Sequence, residues 1–145
     1  MRAGRRRRLT SIRAYLAAVA VLFGFIVIAG ATAARADLRD ERQITEGLIA
    51  TAIAYEIGDK CADIDARLVA GVNYLWSLRR LAQEMGYSEA EIDAYVDDRE
   101  EQRRLEAIAR DRLRSLGAIP GQWETYCTVG RAEMAADSRI GRLLR

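Results

Sequence analysis

Beyond residue 36 the apolar positions recur every three or four residues and never alternate over the length of a strand. Ile44, Leu48, Ala52, Ile53 and Ile57 predict a first helix from about Asp40 to Glu56, with Gly58 as its stop. A second helix is predicted from about Ile64 to Met85. Its Leu68, Val69, Val72, Leu75, Trp76, Leu78, Leu81 and Met85 cover more than one face, the pattern of a central helix with neighbours on several sides. Gly86 would cap it. In "GYSEAEIDAYV", Ser88 and Glu91 form a capping box, and Tyr87 is placed to staple onto Ile92.

Helical pattern then runs to Leu116, with Gly117 as the stop. Inside it, "DDREEQRR" has no large apolar residue, and the apolar faces before and after it differ. Residues 89–116 are therefore one long helix bent near Asp97–Arg104, or two helices broken near Asp98, whose side chain would cap onto Glu101. After "GAIPG", which holds the sole proline, Pro120, a last helix carries Trp123, Tyr126, Cys127, Gly130 and Met134 along one stripe. Asp137-Ser138 would end it. The tail "RIGRLLR" keeps Ile140, Leu143 and Leu144 at a spacing that suits a docked turn and a partner contact. The fold class is all-α, a small four-helix bundle-like domain.

The first 36 residues follow another logic. "MRAGRRRRLTSIR" is basic without an acid, Ala14 to Ala31 runs 18 residues without a charge, and Ala34-Arg35-Ala36 is a small-x-small end. That is the build of a secretory signal cut between Ala36 and Asp37. The competing reading is an uncleaved anchor, since 18 apolar residues lie at the lower edge of a membrane span. Gly24, Gly30 and the small residues at its far end favour cleavage. Either way the arginines stay in the cytoplasm and residues 37–145 become a single periplasmic domain, free or held at the inner membrane.

This division changes the charge. Residues 37–145 hold 16 of the basic and all 21 of the acidic residues, so the domain is acidic by five while the whole chain is +2. Nucleic acid is thereby an unsuitable partner. The chain has no histidine, which removes Ser-His and Cys-His activation, His acid–base chemistry and His-containing zinc sites.

Two cysteines remain, Cys61 and Cys127. They are too few for zinc and too far apart for a C-x-x-C redox pair. In an oxidising compartment they are expected to form a structural disulfide. That bond needs the last helix to begin near the end of the first, which favours residues 89–116 as one long helix rather than a complete hairpin.

The carboxylates offer the remaining chemistry. Asp97, Asp98, Glu100 and Glu101 cluster, as do Asp59, Asp63 and Asp65, and paired acids can cleave glycosides or hold calcium. Neither group has the calcium-loop pattern, and in the first Arg99, Arg103 and Arg104 interleave at helical spacing, Glu100–Arg104 being one pair. The run reads as a solvated helix face. Trp76, Trp123, Tyr126 and Tyr74 read as core rather than a ligand cleft. Arg79-Arg80 hints at a buried ion pair or an anion site.

The blocks Cys61-x-x-Ile64, "GYSEAEIDAYVDDREEQRRLEAIARDRL", "YCTVGRAEM" and "SRIGRLLR", in order, resemble an alphaproteobacterial exported family known as domain of unknown function 5333. The resemblance spans residues 40–145, with Ala62 where the family favours proline. It implies export and a small helical domain, and carries no functional residue, cofactor or metal ligand with it. The function expected from all this is a non-enzymatic periplasmic module that binds a protein or envelope component, with Ile140, Leu143 and Leu144 at the interface. The membrane would be met only through an uncleaved head. An acid-responsive chaperone is the alternative, and an acid-pair glycan hydrolase the weakest reading.

Overall fold

The computed structural model describes residues 36–145; the basic head and apolar stretch, and with them the signal or anchor reading, lie outside the described residues. A 3₁₀ turn, Leu38–Asp40, leads into five helices: α1 Arg42–Lys60, α2 Leu68–Glu84, α3 Glu89–Asp97, α4 Arg99–Ser115 and α5 Trp123–Ala135. A second 3₁₀ turn, Gly141–Leu143, follows. The all-α expectation holds, with two isolated β-bridges and no strand among the described residues.

The helix at the centre is α1, not α2. It buries Ile49, Ala50, Ile53, Ala54 and Ile57 and packs against α2, α4 and α5. Small residues explain the difference, because a helix with neighbours on several sides needs positions where they can approach. A Cβ on Gly47 would stand 2.7 Å from Leu78 Cδ1. By contrast α2 buries only Leu78 and Ala82.

Gly58 is likewise not a stop. The helix runs through it to Lys60, and a Cβ there would lie 2.5 Å from the backbone nitrogen of Ala66. The glycine lets the returning segment cross α1 at close range.

The long third helix expected over residues 89–116 is interrupted. Asp98 leaves the helical region (φ −70°, ψ 104°) and its Oδ1 accepts from the backbone of Glu100 at 2.9 Å and Glu101 at 3.2 Å. Two further amides are capped at the cost of one helical residue, so the break is locally stabilised. The Ser88–Glu91 capping box forms as read from the sequence, and Tyr87 and Ile92 are buried in one cluster.

Three helices end in the same hydrogen-bond pattern, in which the second residue past the cap reaches back to close the last turn. Tyr87 N–H donates to Ala82 O at 3.0 Å past Gly86, and Ala118 N–H to Leu113 O at 3.0 Å past Gly117. After α5 the left-handed position falls to Asp137 (φ 46°), with Ser138 N–H to Glu133 O at 3.2 Å.

Cys61 at the end of α1 and Cys127 inside α5 form the disulfide, their Cα atoms 5.0 Å apart. The tail completes the core beside it. Asp65 N–H donates to Arg145 O at 2.9 Å, Arg145 N–H to Asp65 O at 3.0 Å, and Arg67 N–H to Leu143 O at 2.8 Å.

Candidate functional site

Most of the residues singled out in the sequence turn out to hold the fold. Ile140, Leu143 and Leu144 are 8%, 7% and 3% exposed and belong to the main core cluster, so the interface expected there is corrected. Their apolar character serves the chain's own closure. Tyr126 is buried and Tyr74 partly so, but Trp123 and Trp76 are about half exposed, against the core reading. Trp123 lies under the Lys60 ammonium, 5.4 Å from the ring centre, beside the disulfide.

The acidic run does not gather into a site. Asp97 and Glu100 are exposed, Asp98 is a cap, and Glu101 is only 4% exposed rather than on a solvated face. Glu101 accepts from Arg104 Nε at 2.7 Å and from the Tyr95 hydroxyl at 3.2 Å, so Arg104 pairs with Glu101 and not Glu100. The Arg104 guanidinium holds the Glu101 carboxyl below its ordinary value, while burial and that carboxylate push the Tyr95 hydroxyl up. Asp98 is also lowered, first by the two backbone donors and then by Arg39, with which it forms an ion pair. The second group is dispersed too. Asp59 pairs with Lys60 at 2.6 Å and Asp65 with Arg145 at 3.7 Å, while Asp63 is exposed. Among the described residues no three or more His, Cys, Asp or Glu stand together as metal ligands.

Ala36 and Asp37, the residues at the expected cut, border the domain directly. The Ala36 carbonyl accepts from the Tyr87 hydroxyl at 2.5 Å, the Asp37 side chain caps the first turn, and Leu38 is already 4% exposed.

What stands out is an apolar trough. Ile44, Leu48 and Ala52 of α1 form its floor; Val72, Leu75 and Trp76 of α2 make one wall, and Gln102 and Leu105 of α4 the other. Ile92, Tyr95 and Val96 of α3 close one end, and the volume is about 500 Å³. Because α2 packs on α1 and α3 but not along α4, the floor stays open. A smaller hollow of about 170 Å³ shares Val72 and Leu75 and extends toward Tyr55, Leu68 and Gly71. Arg79 braces the α2 wall, donating to Asp93 at 2.7 Å and pairing with Glu89 on α3. The Arg79-Arg80 hint thus resolves into an inter-helix ion pair, with Arg80 exposed.

Above the trough α2 exposes Leu68 (68%), Val69 (76%), Val72 (52%), Leu75 (39%) and Trp76 (56%). These are the residues that suggested a central helix. Periodicity counts apolar faces but does not say what covers them, and here nothing in residues 36–145 does. The signal that was missed is Gly71, a glycine in the first turn of α2 on the edge of that face.

Among the described residues no helix is long and apolar enough to cross a membrane. No curated protein and no solved structure matches this chain. A family model described as "Family of unknown function (DUF5333)" matches residues 36–145, the whole helical domain with both cysteines, and the chain belongs to that family.

Proposed function

We propose that this chain is an exported, non-enzymatic binding module whose working surface is the α2 face and the trough beside it. One observation carries the reading: five large apolar side chains on one helix are exposed next to an apolar groove of about 500 Å³. A patch of this kind marks an interaction site, because leaving it in water forfeits about 25 cal/mol per Å². Export is supported by the basic head, the apolar stretch and the disulfide, which suits an oxidising compartment.

The test is a photo-crosslinking residue placed at Trp76 or at Arg103, the latter exposed on α4, with the full chain in its native envelope. Adducts should form at position 76 and be absent at 103. Equal labelling at both would remove the α2 face as the working surface. The mass of the recovered chain, without reductant, reports removal of residues 1–36 and oxidation of the cysteines together.

The acid-responsive chaperone has one observation in its favour. Glu46, Asp98 and Glu101 all sit below their ordinary values through arginine or backbone donors, so protonation loosens the helices around an apolar surface already present. Suppression of a client's aggregation at pH 3 but not pH 7 would select this reading over simple docking.

A further inference from the structure

We propose that the trough and the α2 face are occupied by α2 of a second copy of this chain, packed antiparallel about a two-fold axis between Gly71 and Val72. This rests on the reading that the α2 face is the working surface, and names its partner.

The first argument is Gly71. Glycine inside a helix is up to about 1 kcal/mol less favourable than alanine, so Gly71, the fourth residue of α2, wants a reason. Every other glycine of the described residues has one. Gly47, Gly58, Gly130 and Gly141 face atoms that a Cβ would meet within 3 Å, and Gly86, Gly117 and Gly121 have positive φ. Gly71 has neither, and a Cβ there would meet nothing within 4 Å. Gly71 is half-buried and lines the smaller hollow with Leu68, Val72 and Leu75, so its backbone is open to that hollow, where another helix can come close.

The second argument is symmetry. A two-fold contact requires one patch to complement itself. In Leu68-x-x-Gly71-Val72-x-x-Leu75, reversal about the centre places Leu68 opposite the partner copy's Leu75 and Val72 over its Gly71. Large meets large at the ends, and large meets small at the middle.

Area agrees. The five exposed apolar side chains of α2, with Tyr55 beside the smaller hollow and Val96 at the end of the trough, present roughly 800 Å², the area each partner buries in a stable complex.

The experiment is sedimentation equilibrium of the full chain with its disulfide formed, beside Val72→Glu. The wild type should dimerise reversibly with a dissociation constant at or below about 1 µM. The exposed Val72→Glu should keep its helix content and weaken the dimer by at least about 100-fold, since it brings two carboxylates to the axis. Direction is read by oxidising exposed single cysteines. An equal mixture of Leu68→Cys and Leu75→Cys should yield a mixed covalent dimer, while neither alone yields one. A chain monomeric to about 100 µM overturns the pairing, as does a dimer indifferent to Val72→Glu, or Leu68→Cys linking to itself. If the chain is monomeric yet position 76 still crosslinks selectively in the envelope, self-pairing falls and the docking surface stands. If neither occurs, both fall.

Discussion

Glu46 on α1 accepts two hydrogen bonds from Arg112 on α4, at 2.6 and 3.0 Å, and so ties the central helix to the wall of the trough. Both side chains are about one-third exposed, which moderates the strength of the link. A double-mutant cycle with Glu46→Gln and Arg112→Gln should give a coupling of about 1 kcal/mol, read from urea unfolding. A coupling near zero would mean that solvent screens the pair.

Acid should unfold the domain through the same group of carboxylates. Glu46, Asp98 and Glu101 are depressed from ordinary values of 4.5, 3.8 and 4.5. A depressed acid contributes stability that is present above its unfolded value and is lost as pH falls through the folded one. The melting temperature should therefore change little from pH 7 to about 5 and fall below about 4.5, and Glu101→Gln should flatten that fall. Melts recorded across pH 2–7 check both.

Removing the covalent link has a large expected effect. Cys61 and Cys127 enclose a separation of 66 residues, for which chain entropy predicts about 4 kcal/mol. The Cys61→Ala, Cys127→Ala pair should lower the urea midpoint accordingly, comparable with reducing the native bond.

Two glycines should respond to alanine with opposite signs. Helix propensity alone predicts a gain of up to about 1 kcal/mol at each. At Gly58 the new Cβ would press on the Ala66 backbone, so Gly58→Ala should lose about 1–3 kcal/mol. At Gly71 the space is open, and Gly71→Ala should raise the stability of the isolated chain. Denaturation of dilute samples compares them directly.

Asp98 sits at the only residue between α3 and α4. Asp98→Ala removes the cap for the Glu100 and Glu101 amides and should cost about 1 kcal/mol, while Asp98→Asn should cost less. Thermal melts separate the two.

Much of this architecture was legible in the residues. The capping box at Ser88, the stops at Gly86 and Gly117, the end of the last helix near Asp137 and the cysteine pair are local or compositional signals, and short-range chemistry decides them. The break at Asp98 is visible in the sequence as an alternative, and the closure that the disulfide demands favours a long helix over it. A single non-helical residue satisfies the same closure. The trough was not legible, since a spacing pattern cannot separate an apolar face that is covered from one that is bare. The tail failed for the converse reason. Leu143 and Leu144 look like a loose end in sequence, yet backbone pairing with Asp65 and Arg67 carries them into the core.

That last pairing orders events in the making of the protein. Ile140 and Leu144 pack with Ile53 and Ile57 in one cluster, although more than eighty residues of synthesis separate them. While the ribosome still shelters the final stretch, the hydrophobic interior lacks one wall. That wall is therefore added last, after the helices it packs against have been made.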